Sequence, residues 1–277
     1  MTRFIVGVDG STGADAALRW ATRLAAASGA EIVAVNAYER NYAEMPPDAL
    51  EQELADRERI LSAEWIRPAA EAGVRVHTEV HERDPRDMID RAADDATLVV
   101  LGRSGHGTEP GVFHLGSVVE PVAHHCPVPL AVIQPHRSEP VERLVLGVDG
   151  SSESSAAVHW CASHAGLLQA DVLAVHVGPT EQKPAGPHDR RVLTEAEISR
   201  WAEPITSAGV DVTPLAIGGL RPAEALVAIA AESPSSLLVI GTRGTGGFLG
   251  LRVGGVAMKV LHRATTHLLL VPPEPEE

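Results

Sequence analysis

The sequence predicts an α/β fold of two tandem five-stranded parallel open sheets, each with helices on both faces. Three observations predict it: a repeat with a spacing of about half the chain, short runs rich in Val, Ile and Leu, and helical apolar patterns between those runs. The repeat opens with Phe4-Ile5-Val6-Gly7-Val8-Asp9-Gly10-Ser11, which returns as Leu144-Val145-Leu146-Gly147-Val148-Asp149-Gly150-Ser151, offset by 140 residues. Trp20 recurs as Trp160 in the same register, while Trp65, Pro68, Gly73 and Val74 recur as Trp201, Pro204, Gly209 and Val210 with an offset of 136. Leu98-Val99-Val100-Leu101-Gly102 likewise matches Leu237-Leu238-Val239-Ile240-Gly241. Proline and mixed charge break the apolar pattern between Gln134 and Glu142, which predicts a linker there and domains over residues 1–136 and 142–273.

Within the first half the expected strands are residues 3–8, 31–36, 74–80, 97–101 and 129–133, apolar enough to be buried on both faces. The first helix is marked by Ala14, Ala17, Leu18, Ala21, Leu24 and Ala25 at three- and four-residue spacing, with Ser11 or Thr12 as the N-cap. A tryptophan helix joins strands two and three. The next helix of each half opens at Asp84-Pro85 or Arg221-Pro222, where the missing proline N–H does no harm. Ligands of such sheets sit at the carboxyl ends of the strands.

Composition narrows the function classes. The chain has 277 residues, 44% hydrophobic and 22% charged, and carries a formal net charge of −14 at pH 7. That charge opposes binding to nucleic-acid backbones and anionic membranes, so an anionic ligand has to be held by local groups. No stretch approaches the roughly 18 apolar residues that span a bilayer, and residues 1–9 lack a leader pattern. Cys126 and Cys161 are too few for a disulfide framework. A cytoplasmic location is expected.

Two elements per half fall on the ligand edge. The first is the carboxylate ending strand one, Asp9 or Asp149, which can also be read as a plain cap or turn residue. The second is a glycine-rich segment after strand four: Gly102, Gly105, Gly116 and Ser117 in the first half, and Gly241, Gly244, Gly254 and Gly255 in the second. Glycines leaving a strand and opening a helix let backbone N–H groups approach phosphate, and the helix amino terminus adds positive potential. One such loop reads equally as an ordinary turn; its recurrence behind the same Asp-ended strand favours a phosphate cradle. It is neither a Walker loop nor a dinucleotide fingerprint.

These motifs, with His125-Cys126-Pro127-Val128-Pro129 before the last strand, resemble the universal stress protein family in its tandem form. The resemblance implies strand order 3-2-1-4-5 in each half, ATP as the bound ligand, and a stress-response role exerted through an unidentified protein partner. It also admits a homodimer of tandem chains. Asp9 and Asp149 would face the adenine, and Ala37 and Val177, after strand two, would line the base pocket. The eight motif residues would surround ribose and phosphates, followed by the amides of Val118 and Val256. Any magnesium would be held largely by the phosphates. Two departures are expected to weaken binding without abolishing it: Glu109-Pro110 in a first-half loop one residue longer, and Gly255 where the pattern has a hydroxyl, with Arg252 nearby as compensation.

No catalytic or metal residues are assigned. The His124, His125, Cys126 and His262, His267 groups lack zinc-type spacing, and no nucleophile elbow is present. Slow ATP hydrolysis or adenylyl transfer stays open as an alternative, as does a scaffold whose sites have decayed. Residues 38–60 and 178–198 read equally as lids, partner surfaces or solvated loops.

Overall fold

The computed structural model describes residues 2–38, 47–105, 115–137, 140–178, 193–244 and 253–273. The chain divides into two compact units, residues 1–138 and 139–277. The first unit runs β1 (Arg3–Gly7), α1 (Thr12–Ser28), β2 (Glu31–Tyr38), α2 (Pro47–Ile60), a π-helical turn (Leu61–Trp65), α3 (Arg67–Glu71), β3 (Val76–Glu82), α4 (Pro85–Ala93), β4 (Leu98–Gly102), α5 (Val119–His125) and β5 (Leu130–Ile133). Its strands are parallel, in the order β3-β2-β1-β4-β5. The second unit runs β6 (Arg143–Gly147), α6 (Ser152–Leu168), β7 (Asp171–Gly178), α7 (Glu195–Trp201), α8 (Glu203–Ser207), β8 (Val212–Gly218), α9 (Pro222–Ala231), β9 (Ser236–Gly241), α10 (Gly255–Arg263) and β10 (His267–Val271). Its strands repeat the pattern as β8-β7-β6-β9-β10, again parallel.

The apolar stripe of the first helix faces the core: Ala14, Ala17, Leu18, Ala21, Leu24 and Ala25 are all buried. Ser11, not Thr12, is the N-cap, and its hydroxyl accepts from the Ala14 N–H at 3.2 Å. Ser151 does the same for Ser154 at 3.1 Å. The residues at the centres of β1, β4, β5, β6, β9 and β10 are buried, as strands covered on both faces require.

Two expectations need correction. β2 and β7 extend to Tyr38 and Gly178, so Ala37 and Val177 lie inside these strands and not after them. The tryptophan helix is broken in each unit. Pro68 and Pro204 sit at the starts of α3 and α8, where a residue without an N–H begins a new helix instead of continuing the old one. Among the described residues no helix is long and apolar enough to cross a membrane. Both cysteines are free thiols; burial pushes Cys126 up to about 12 and raises Cys161 as well.

At the amino-terminal ends of the strands of the first unit, Glu31 is buried among cations. Its carboxylate accepts from Arg3 Nε at 3.0 Å, with Arg75 at 3.7 Å and His77 at 3.6 Å. The Arg3 hydrogen bond holds the carboxyl below its usual range, against an opposing effect of burial, and the charges of Arg3, His77 and Arg75 add to it. A depressed folded-state pKa contributes stability above the unfolded value, about 4.3 for Glu, and loses it as pH falls through the folded value. Glu31→Gln is therefore expected to lower the urea midpoint at neutral pH, with the deficit shrinking at about pH 3. An equal deficit at both pH values would contradict this account.

Candidate functional site

Each carboxylate lies two residues beyond the first strand of its unit, not at its last position, and has two occupations. Asp9 Oδ1 accepts from the Ser11 N–H at 2.9 Å, while Oδ2 faces Gly105, where a Cβ would lie 2.5 Å from it. Asp149 repeats the arrangement: Oδ1 accepts from Ser151 N–H at 3.0 Å and Oγ at 2.6 Å, and Oδ2 faces Gly244. The turn-residue reading thus holds for one oxygen of each carboxylate, and the other oxygen is turned toward the glycine turn. Gly10 and Gly150 follow at φ +80°, a left-handed conformation that a glycine adopts without strain.

The glycines after strand four serve different neighbours from those expected. A Cβ at Gly102 would strike the backbone of Gly13 in α1, and one at Gly241 would meet Glu153 in α6 at 2.9 Å. These two let a helix lie directly on the strand end. Gly116 and Gly254 pack against the turns at Arg103 and Arg243, and their N–H groups donate to Arg103 O at 2.8 Å and Thr242 O at 2.7 Å. The expectation that these amides converge on a ligand is therefore corrected: both are committed within the protein. Only Gly105 and Gly244 leave space directly beside the carboxylates.

In the first unit these parts enclose a cleft of about 1050 Å³, lined by Asp9, Ala37, Gly102, Gly105, Gly116, Ser117 and Val118. All the residues expected at the first site are therefore brought together. In the second unit Asp149 meets Gly244 and Gly254 meets the Arg243 turn; Val177 is half-buried in β7, and Gly255 and Val256 are exposed at the start of α10. Glu109, Pro110 and Arg252 lie outside the described residues.

Sequence reasoning missed several wall residues. Trp65, which in the sequence marks only the repeat, lines the cleft and lies over Gly10, whose Cβ would come within 2.6 Å of its ring. Gln52, Asp56, Arg57 and Ile60 of α2 form another wall, so part of the variable segment 38–60 belongs to the site. Asn36 on β2 donates from Nδ2 to Val8 O at 2.7 Å and fixes the strand end before Asp9. Its counterpart His176 makes the same tie to Val148 O at 2.7 Å, which requires a proton on Nδ1. The signal for this tie is present when the halves are aligned, as a polar residue at the same place inside a largely apolar strand.

The halves also differ beneath the cradle. Gly13 and Ser104 of the first unit correspond to Glu153 and Arg243 of the second, which form an ion pair with Nε to Oε1 at 2.9 Å. Burial lowers the pKa of the neighbouring Arg103 guanidinium in the first unit.

The chain matches the model of the universal stress protein family twice, over residues 1–134 and 140–272. The chain belongs to the universal stress protein family. A universal stress protein of Mycolicibacterium smegmatis is 30% identical, with 97% of this chain and 96% of that protein covered. One from Mycobacterium tuberculosis is 29% identical over 96% of this chain and 95% of its own length. The crystal structure of a universal stress protein from Archaeoglobus fulgidus shares the fold, with a TM-score of 0.73, 18% identity and 98% of both chains covered. As in the tandem relatives, the family pattern occupies this universal stress protein nearly from end to end.

Proposed function

We propose that this universal stress protein binds an adenine nucleotide, ATP, in each unit and acts as a cytoplasmic stress-response regulator through a protein partner, with pairing of tandem chains as one route to its output. The observation that carries the reading is the first-unit cleft. It is at the upper end of the usual size for small-molecule sites, about 300–1,000 Å³, and lies at the carboxyl edge of a parallel sheet, where such folds take ligands. The residues fit the guest. Asp9 Oδ2 is an acceptor for an exocyclic amine, Ala37 and Val35 offer an apolar wall to a base, and Gly105 leaves a space that a Cβ would fill. With the Gly116 amide committed to Arg103, the phosphate donors would be Ser117 and Val118.

Titration of the full-length chain with ATP tests the proposal. Two bound nucleotides per chain are expected, with a change in tryptophan emission that is reduced in Trp65→Phe, because Trp65 lines the first cleft, and not abolished, because Trp201 lies near Gly150 in the second unit. No heat and no fluorescence change up to millimolar ATP would leave a scaffold with decayed sites. Phosphate release above buffer in the same samples would favour the hydrolytic alternative.

A further inference from the structure

The two units carry the single arginine of the glycine turn at different positions, Arg103 aligning with Thr242 and Ser104 with Arg243. Gly102-Arg103-Ser104-Gly105 corresponds to Gly241-Thr242-Arg243-Gly244, and Ser104 lines the first cleft. Arg243 therefore stands where the first unit has a neutral hydroxyl. Glu153, on the first turn of α6, is only 9% exposed and holds Arg243 by Nε, while its other oxygen accepts from Ser152 Oγ at 2.9 Å. Arg243 Nε is shut from solvent, yet 31% of the side chain is exposed, and its terminal amino groups have no partner among the described residues. The backbone of Arg243 adjoins both functional neighbours: its Cα is 3.4 Å from a Cβ built at Gly254, which opens α10, and the next residue, Gly244, abuts Asp149. A guanidinium presents donors in a planar fork suited to phosphate, and the ion pair with Glu153, although Nε makes no hydrogen bond in it, keeps this guanidinium beside the turn.

We propose that Arg243, positioned by Glu153, is the specificity-determining residue of the second unit and donates to the phosphate chain of the ligand. The second unit then selects nucleoside di- and triphosphates over the nucleoside, whereas the first unit, with Ser104, discriminates less. This rests on the nucleotide reading above. The swap also explains how the second unit accommodates its missing hydroxyl at Gly255: a charged donor from the preceding turn takes over the anion. Gly13 is what denies the first unit the same device, because even a Cβ there would strike the Ser104 carbonyl.

The test is calorimetry on the full-length chain carrying Gly105→Val, which displaces Asp9 and silences the first unit. Arg243→Ser is expected to weaken ATP binding about ten- to hundredfold, the range of a lost hydrogen bond to a charged group, and to leave adenosine binding unchanged. Arg243→Lys should recover part of the loss. Because removing Arg243 alone leaves Glu153 without its cation, Glu153→Ala with Arg243→Ser is measured alongside as the variant nearest to the first unit; it should show the same loss of ATP preference with a fold unchanged by circular dichroism. Equal losses for ATP and adenosine, or none for either, would overturn the role of Arg243. Absence of any nucleotide from both units of the unmodified protein would instead overturn the reading beneath it.

Discussion

Gly13→Ala is expected to destabilise the protein, although alanine is the better helix former by about 1 kcal/mol. Gly13 lies in the first turn of α1, and a Cβ there would strike the carbonyl oxygen of Ser104 and crowd its carbon at 3.3 Å. The obstacle is backbone, and that backbone is itself pinned: Arg103 N–H donates to Ile133 O at 2.9 Å, and Arg103 O accepts from Gly116. Nothing can rotate away, so α1 has to shift off the end of β4. Overpacking against such a surface costs about 1–3 kcal/mol, and the upper end, less the propensity gain, leaves about 2 kcal/mol of destabilisation. Gly166→Ala in α6 supplies the contrast, since nothing lies within 4 Å of its Cβ. There the propensity gain should appear almost alone, as stabilisation of up to about 1 kcal/mol. Thermal or urea unfolding of the two variants should therefore move in opposite directions, and a shift of the same sign would remove the close helix-to-turn contact from the account.

The second large effect is on binding. On the proposed reading of one nucleotide per unit, Gly105→Val should remove one of two while leaving the fold intact. The new Cβ would lie 2.5 Å from Asp9 Oδ2, the end of a side chain, so the carboxylate moves and the backbone does not. Asp9 is then lost as an acceptor and the branched side chain occupies the cleft. Affinity in the first unit should fall at least about a hundredfold, equivalent to about 2.8 kcal/mol. Gly244→Val should act likewise on the second unit, where the same contact is made with Asp149. Retention of two nucleotides by Gly105→Val, or loss of both, would contradict the assignment of one site to each aspartate. Gly13 and Gly105 stand close together in the fold, yet their substitutions are expected to have different results because one meets fixed backbone and the other a movable carboxylate.

Much of this is legible in the residues. The repeat, the strand order within each unit, a cap at Ser11 or Thr12 and the gathering of Asp9, Ala37 and the glycine segment follow from periodicity, cap chemistry and family resemblance. What escapes depends on contacts between segments far apart in sequence. The glycine at position 102 looks like a phosphate-approach glycine until α1 is seen lying on it, and the Gly116 amide looks available until its bond to Arg103 O is found. The Glu153 and Arg243 pair leaves a trace in the aligned halves, since a Gly and a Ser are both replaced by charges of opposite sign. Only the fold brings positions 90 residues apart together at 2.9 Å. The broken tryptophan helix is signalled by Pro68 and Pro204, which mark the repeat and also start new helices.

The tie between each aspartate and the serine two residues on bears on the thermodynamics of ligand capture. With Oδ1 engaged by the Ser11 or Ser151 amide, the carboxylate surrenders its rotational freedom during folding, before any guest arrives. A nucleotide bound as proposed would meet an acceptor already oriented by that single bond, though still displaceable by a clash, and would bear less of the ordering penalty of a freely swivelling side chain, which for rotamer-rich groups is about 0.5–1.5 kcal/mol.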